Sequence, residues 1–448
     1  MASHPVLYEW NIRVHLADLS SNLGRHATLD DLPPSELDRL AELGFEWIWL
    51  LGVWQTGEAG RRVSRTSPQL RQSYQQVLPD VAASDICGSP FAVASYTVSP
   101  DLGGDGALAR FRERLKACGM RLMLDFVPNH TAIDHPWARE HPDYYVHGSD
   151  NDREREPLNY LLVPEAGIFA YGRDPYFPGW PDTLQLNYGS PALQDAMRNE
   201  LIKIAAACDG VRCDMAMLLT PEVFKKTWGI EARPFWPETI QAVRAMHPEF
   251  IFMAEVYWGM EWDLQQQGFD HTYDKRLYDR LRSGDANAVR AHLTASLEFQ
   301  NKSVRFLENH DEERAADVFP PSAHQAAAMI AYFVPGMRFF HDGQLEGRHK
   351  KTSVHLCRRA AEKADQFLES FYMQLLAWLR QPVLRTGEWQ MLETTPDSCF
   401  AFAWSDERNR ALVVVNFSPD PAQCRADAEM SFDLPGWGYK FLLLRPDS

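Results

Sequence analysis

The stretch DGVRCDMAMLL (209–219) sets Arg212 and Asp214 two positions apart inside an otherwise apolar run. In an extended strand that spacing turns both side chains to one face. A guanidinium buried beside a carboxylate needs a reason, because desolvation can cost as much as the pair returns. Other apolar runs also end in polar residues: Asp125, Asn129 and His130 in LDFVPNH, Glu255 in FMAEVYW, and Asn309, His310 and Asp311 in RFLENHDEE. Singly, each suits a cap, a loop hydrogen bond or a structural ion pair. Together they suit glycosyl transfer with retention, in which an ionised carboxylate attacks the anomeric carbon and a protonated one donates to the leaving oxygen. Further anionic groups would stabilise the oxocarbenium-like transition state. On this reading Arg212 lowers the pKa of Asp214 and holds it ionised as the nucleophile. Apolar surroundings and nearby negative charge keep Glu255 protonated as the acid.

These residues must be gathered by the fold. Strand-like runs lie at 6–12, 45–51, 121–127, 210–216, 250–256, 269–274 (the weakest), 303–309 and 337–343. Segments of helical period fall between them, as at 33–44, 107–119 and 191–207, the first opened by Pro and closed by Gly. Eight β/α alternations predict a (β/α)₈ TIM barrel rather than an open doubly wound sheet. In such a barrel the C-terminal strand ends share one rim, where the polar residues above would converge. Residues 131–190 break the alternation, are rich in Pro, Asp, Tyr and Gly, and read as an inserted loop-rich subdomain after the third strand. From 386 to 448 the helical signal stops, and CFAFAWSD, ALVVVNFS and KFLLLRPD predict a small antiparallel β-domain. The barrel is then residues 1–130 and 191–385.

The chain has 448 residues, 45% hydrophobic and 12% aromatic, with a formal net charge of −16. That acidity argues against nucleic acid or anionic lipid as a partner. MASHPVLYEWN shows no secretory pattern and no 18-residue apolar run occurs, so a non-membrane, cytoplasmic protein is expected. Seven Cys, none in a C-x-x-C pair, read as reduced thiols. Oligomeric state is not legible.

At these residues the sequence resembles the α-amylase family of retaining glycoside hydrolases and transglycosylases. Its four short motifs stand in order as DFVPNH (125–130), GVRCD (210–214), AEVYW (254–258) and ENHD (308–311). SPFAVASYTVSPDLGG (89–104) resembles the family's second βα loop, and DTLQLN (182–187) its fifth motif. The resemblance implies Asp214 as nucleophile, Glu255 as general acid/base and Asp311 as transition-state stabiliser. It further implies that Arg212 orients the nucleophile, that His130 and His310 bind sugar hydroxyls, and that Asp125 supports the site. The substrate would be a small carbohydrate with α-glucosidic bonds.

Some positions depart from the family pattern. Met217 and Leu218 replace a Lys-His pair, which alters contacts on the leaving-group side; Phe91 replaces a stacking Tyr; Ser95 replaces an Asp. Long-starch endo-hydrolysis is therefore not the expectation. Asn129 matches a position that binds calcium in many relatives, and DNDRERE (150–156) is a candidate neighbour, but no obligatory metal or cofactor is expected. Trp54, Trp137, Tyr171, Tyr176, Trp180, Tyr257 and Trp258 could line sugar subsites, Trp258 foremost because it follows Glu255 by three residues. The triad leaves open whether water or another sugar resolves the intermediate, so a transglycosylase or sugar isomerase is the alternative. A non-catalytic binding or scaffold protein and a metal-dependent lyase are the rivals from other classes.

Overall fold

The computed structural model describes residues 4–427 and 430–444. The first three residues of the amino-terminal reading and 445–447 of KFLLLRPD lie outside them. Eight strands form a closed barrel: β1 (Val6–Asn11), β2 (Trp47–Leu51), β3 (Arg121–Phe126), β4 (Gly210–Cys213), β5 (Ile251–Ala254), β6 (His271–Tyr273), β7 (Ser303–Arg305) and β8 (Met337–His341). Each pairs in parallel with its sequence neighbours, and β8 returns to β1 with Val6 opposite Arg338. This is the (β/α)₈ barrel that the alternation predicts. Its strands read as continuous apolar runs because the interior and the helical layer bury both faces. All of β1, β2 and β8 is buried.

Local signals set the helices. Pro34–Leu43 opens on its Pro and closes where Gly44, at φ 93°, turns its N–H back onto Ala41 and Leu40. Pro191–Ala207 is capped by the Ser190 side chain on the Leu193 N–H. The helix read at 107–119 instead spans Gly104–Ala117. Its start follows a short turn, Pro100–Leu102, and left-handed Gly103, which periodicity does not register.

The longest connections lie at the C-terminal rim. Residues 52–103, between β2 and the helix before β3, hold a hairpin (Trp54–Thr56 with Val93–Val98) and two helices, Glu58–Thr66 and Pro68–Val77. In the 131–190 segment Thr183–Gln185 pairs with His130–Ala132, tying the far end of the excursion to β3. The connection after β8 crosses to the second: Leu356 and Ala360 pack on Tyr74, Leu78 and Ile86, and Arg358 pairs with Asp85 at 2.8 Å.

Beyond residue 386 a four-stranded sheet (Glu388–Met391, Cys399–Ser405, Arg410–Asn416, Tyr439–Leu444) faces a three-stranded one (Thr394–Thr395, Ala422–Ala426, Met430–Leu434). Trp404 anchors this part to the barrel layer, its indole N–H donating to the Phe333 carbonyl at 2.8 Å. A disulfide joins Cys399 and Cys424 across the two sheets. That corrects the expectation of thiols reduced throughout. The pair is 25 positions apart in sequence and only the facing of the sheets brings it together. Among the described residues no helix is long and apolar enough to cross a membrane.

Candidate active site

A cleft of about 500 Å³ opens at the C-terminal rim, lined by Phe91, His130, Trp180, Asp182, Asp214, Met215, Glu255, Tyr257, Asp311 and His355 among others. β4 delivers Arg212 and, one residue past its end, Asp214; β5 delivers Glu255 in the same way. Because β4 and β5 are neighbours in register, with Arg212 opposite Met253, one guanidinium reaches both carboxylates. Arg212 Nη1 donates to Asp214 at 2.7 Å, and Nη2 lies 2.7 Å from Glu255. Asp125, on the other flanking strand, stands 3.7 Å from Nη1. Arg212 itself is wholly buried, with Trp49, Phe91 and Tyr273 rings around the guanidinium.

Glu255 is held by one ion pair and two hydrogen bonds. Besides Arg212, the Met215 N–H reaches Oε2 at 2.8 Å and the Tyr257 hydroxyl reaches Oε1 at 2.9 Å. Met215 sits in the left-handed region, φ 43°, and it is this backbone turn that aims its N–H at the carboxylate. Burial nonetheless pushes Glu255 up to about 7, against Arg212 and with help from Asp214. Asp214 is also pushed up by burial, with Asp311 adding to the rise and Arg212 opposing it. That corrects the sequence expectation: Arg212 pulls Asp214 down but does not outweigh desolvation.

Asp311 behaves oppositely. Its side chain opens to the cleft at 45% exposure and pairs with His310 Nε2 at 3.0 Å. Against partial desolvation by its surroundings, His310 holds Asp311 well below the usual carboxylate range. The other ring nitrogen, Nδ1, lies 2.5 Å from Glu9 on β1. Burial disfavours charge on His310, yet Asp311 and Glu9 together hold its pKa well above the ordinary value.

The remaining candidates occupy distinct places. His130 lines the cleft beside Trp180, their ring centroids 5.1 Å apart, and burial pushes it down to about 3, so it is neutral. Phe91 lies over His310 at 5.4 Å. Asp125 is buried behind Arg212, where desolvation raises it to about 7. Trp258 is half-exposed and makes an edge contact with Tyr176 at 5.1 Å. Of the other aromatics, Trp180 and Tyr257 line the cleft, while Trp54 is buried and donates to the Asp125 carbonyl. Met217 and Leu218 are buried in the short turn Ala216–Leu219. Met215, not this pair, is therefore the side chain after Asp214 that borders the cleft.

Sequence reasoning missed Glu9, Asp182 and Met215. Glu9 carried a usable signal, a lone carboxylate inside the apolar strand VLYEWN. Asp182 opens the quoted DTLQLN, and burial raises its pKa to about 6.

At the candidate calcium position the side chains bond one another. Asn129 and Gln185 form a reciprocal amide pair, Nδ2 to Oε1 at 3.2 Å and Nε2 to Oδ1 at 3.0 Å. Each amide oxygen of the pair thus accepts a hydrogen bond from the other side chain. DNDRERE forms the exposed helix Asp150–Arg155, its Asp152 engaged in capping.

The α-amylase catalytic domain matches residues 34–391. An α-amylase of Haloarcula japonica is 25% identical over 436 residues, covering 94% of this chain and 56% of its own length. An α-1,4-glucan:maltose-1-phosphate maltosyltransferase of Burkholderia pseudomallei is 28% identical over 264 residues, 57% of this chain and 20% of its own. The chain thus spans about half or less of the length of these relatives. Among solved structures, an α-amylase from Lactobacillus plantarum superposes with a TM-score of 0.71 at 19% identity, covering 99% of both chains. The cyclic α-maltosyl-(1→6)-maltose hydrolase of Arthrobacter globiformis gives 0.71 at 16%, covering 99% of this chain and 98% of its own. With four motifs in order, a closed barrel and a catalytic-domain match over most of its length, this chain belongs to the α-amylase family.

Proposed function

We propose that this chain is a retaining glycosidase acting on α-glucosidic bonds of short α-glucans or oligosaccharides through a covalent glycosyl-enzyme intermediate. Asp214 attacks the anomeric carbon, Glu255 protonates the leaving oxygen and then activates the incoming hydroxyl, and Asp311 stabilises the charge of the transition state. The observation that carries this reading is the sharing of Arg212 between Asp214 and Glu255. Two carboxyls gripped by adjacent nitrogens of one guanidinium are close-set, as double displacement requires. Glu255 near 7 is poised to hold a proton at neutral pH and to give it up.

Transfer to a second sugar is the other reading, supported by the similarity to maltosyltransferases. The cleft's Met215, Trp180 and Tyr257 give an apolar wall against which a sugar acceptor could compete with water.

Mass spectrometry of products from maltose, maltooligosaccharides, isomaltose, sucrose, trehalose and maltose-1-phosphate, beside the Asp214→Ala variant, tests both. Shorter sugars establish hydrolysis, and longer or isomeric ones establish transfer. Silence across the panel from folded protein overturns the proposal.

A further inference from the structure

The His310 imidazole is flanked by two carboxylates, Glu9 at 2.5 Å on Nδ1 and Asp311 at 3.0 Å on Nε2. A neutral imidazole has one N–H and cannot donate to both. With both partners ionised, the imidazolium alone answers both, by a hydrogen bond to Glu9 and an ion pair with Asp311, and the ring is wholly enclosed, beneath Phe91 and beside Trp49. Asp311 opens to the cleft, but Glu9 does not: it is buried on β1, across the barrel from the acid/base strand β5, and touches neither cleft nor solvent. Among the described residues Glu9 Oε2 has no hydrogen-bond partner, and His341 Nε2 lies 3.9 Å from it. Such a buried, half-satisfied carboxylate is costly to fold, and its one strong contact is to His310.

We propose that Glu9 is a positioning residue of this site, holding His310 as an imidazolium with Nε2–H fixed on Asp311 so that Asp311 stays ionised and aimed into the cleft. The inference rests on the glycosidase reading for its consequence, not for its geometry. Groups facing His310 and Asp311 from other strands are Arg212, Asp214 and Asp125, whose charges act on the same ring, and Lys351, which donates to the Asp311 carbonyl. Glu9 is the group hydrogen-bonded to Nδ1. Removing its charge leaves a ring that can satisfy Asp311 as the neutral Nε2–H tautomer, and the positive charge beside Asp311 is lost once the pH exceeds the ring's lowered pKa.

The test is Glu9→Gln, which keeps size and a hydrogen-bonding partner for Nδ1, with two readouts. In the first, the imidazole resonances of His310 are followed by NMR against pH and assigned with His310→Gln. Wild-type His310 is expected to titrate well above the ordinary histidine value, and in Glu9→Gln to fall back toward it. The second readout is the pH profile on an activated α-glucoside. Glu9→Gln should lose about 10- to 100-fold in kcat above about pH 7, with KM changed less, and the loss should shrink on acidification as the ring regains its proton. Glu9→Asp, which keeps the charge, should keep His310 protonated while lowering kcat at every pH. A uniform loss in Glu9→Gln at all pH values would reduce Glu9 to a structural role and overturn the proposal. So would a wild-type His310 that titrates at the ordinary value, and that measurement stands even where a variant fails to fold. If no sugar is turned over, the NMR titration still decides the Glu9 relationship, while the glycosidase reading fails separately.

Discussion

Arg212 holds Glu255 and Asp214 with adjacent guanidinium nitrogens, each 2.7 Å from its carboxylate. A lysine carries the charge but has no planar fork. Arg212→Lys is therefore expected to lower kcat/KM about 100-fold or more. Leaving a carboxylate partly unpaired in a buried site should also destabilise the fold by about 3–5 kcal/mol. Steady-state kinetics and thermal unfolding check the two separately.

The pH profile of kcat/KM should be a narrow bell. Its alkaline limb follows Glu255, so activity is lost as the pH rises through about 7. On the proposed mechanism its acid limb follows Asp214, which would have to be ionised to attack and which burial has raised. The Tyr257 hydroxyl donates to Glu255 and favours its ionised form. In Tyr257→Phe the acid should hold its proton more tightly, moving the alkaline limb up by about one pH unit. A limb that stays in place would show another group sets it.

Chelation should change neither activity nor melting temperature, because Asn129 spends its amide on Gln185. Gln185→Ala should cost about 1–3 kcal/mol by leaving that buried amide unpaired. Denaturant unfolding with and without added calcium or chelator measures both.

Trp258, half-exposed against Tyr176, lies outside the immediate lining of the cleft. Trp258→Ala should raise KM for maltooligosaccharides about fivefold, as expected for losing one aromatic stacking surface. An aryl glucoside that ends at the cleft should be unaffected. Equal losses on both would place Trp258 in the cleaved subsite or in packing.

The Cys399–Cys424 bridge closes a 25-residue separation between the two C-terminal sheets, and neither cysteine lines the cleft. Cys424→Ser should lower the stability of the C-terminal sheets by about 3 kcal/mol on the loop-closure account. kcat should not change. Free-thiol counting by mass spectrometry, before and after reduction, checks the bridge itself.

The sequence by itself determined the barrel. Eight apolar runs alternating with helical periods have few other ways to bury both faces of every strand. Even FDHTYD, the weakest run, yields β6 because its neighbours supply the pairing. Residue types at the strand ends also marked where charged groups gather, since Arg212 and Asp214 share a face by period two alone. What only the tertiary structure decided is which charges meet. That Arg212 also grips Glu255 depends on β4 and β5 being neighbours in register, which no local pattern states. Glu9 and His310 lie 301 positions apart and meet because β1 closes the barrel beside β8. The direction of the Asp214 shift belongs to the same class. Sequence places a cation two residues away, but the balance against desolvation is struck by how completely the neighbouring strands and loops exclude water.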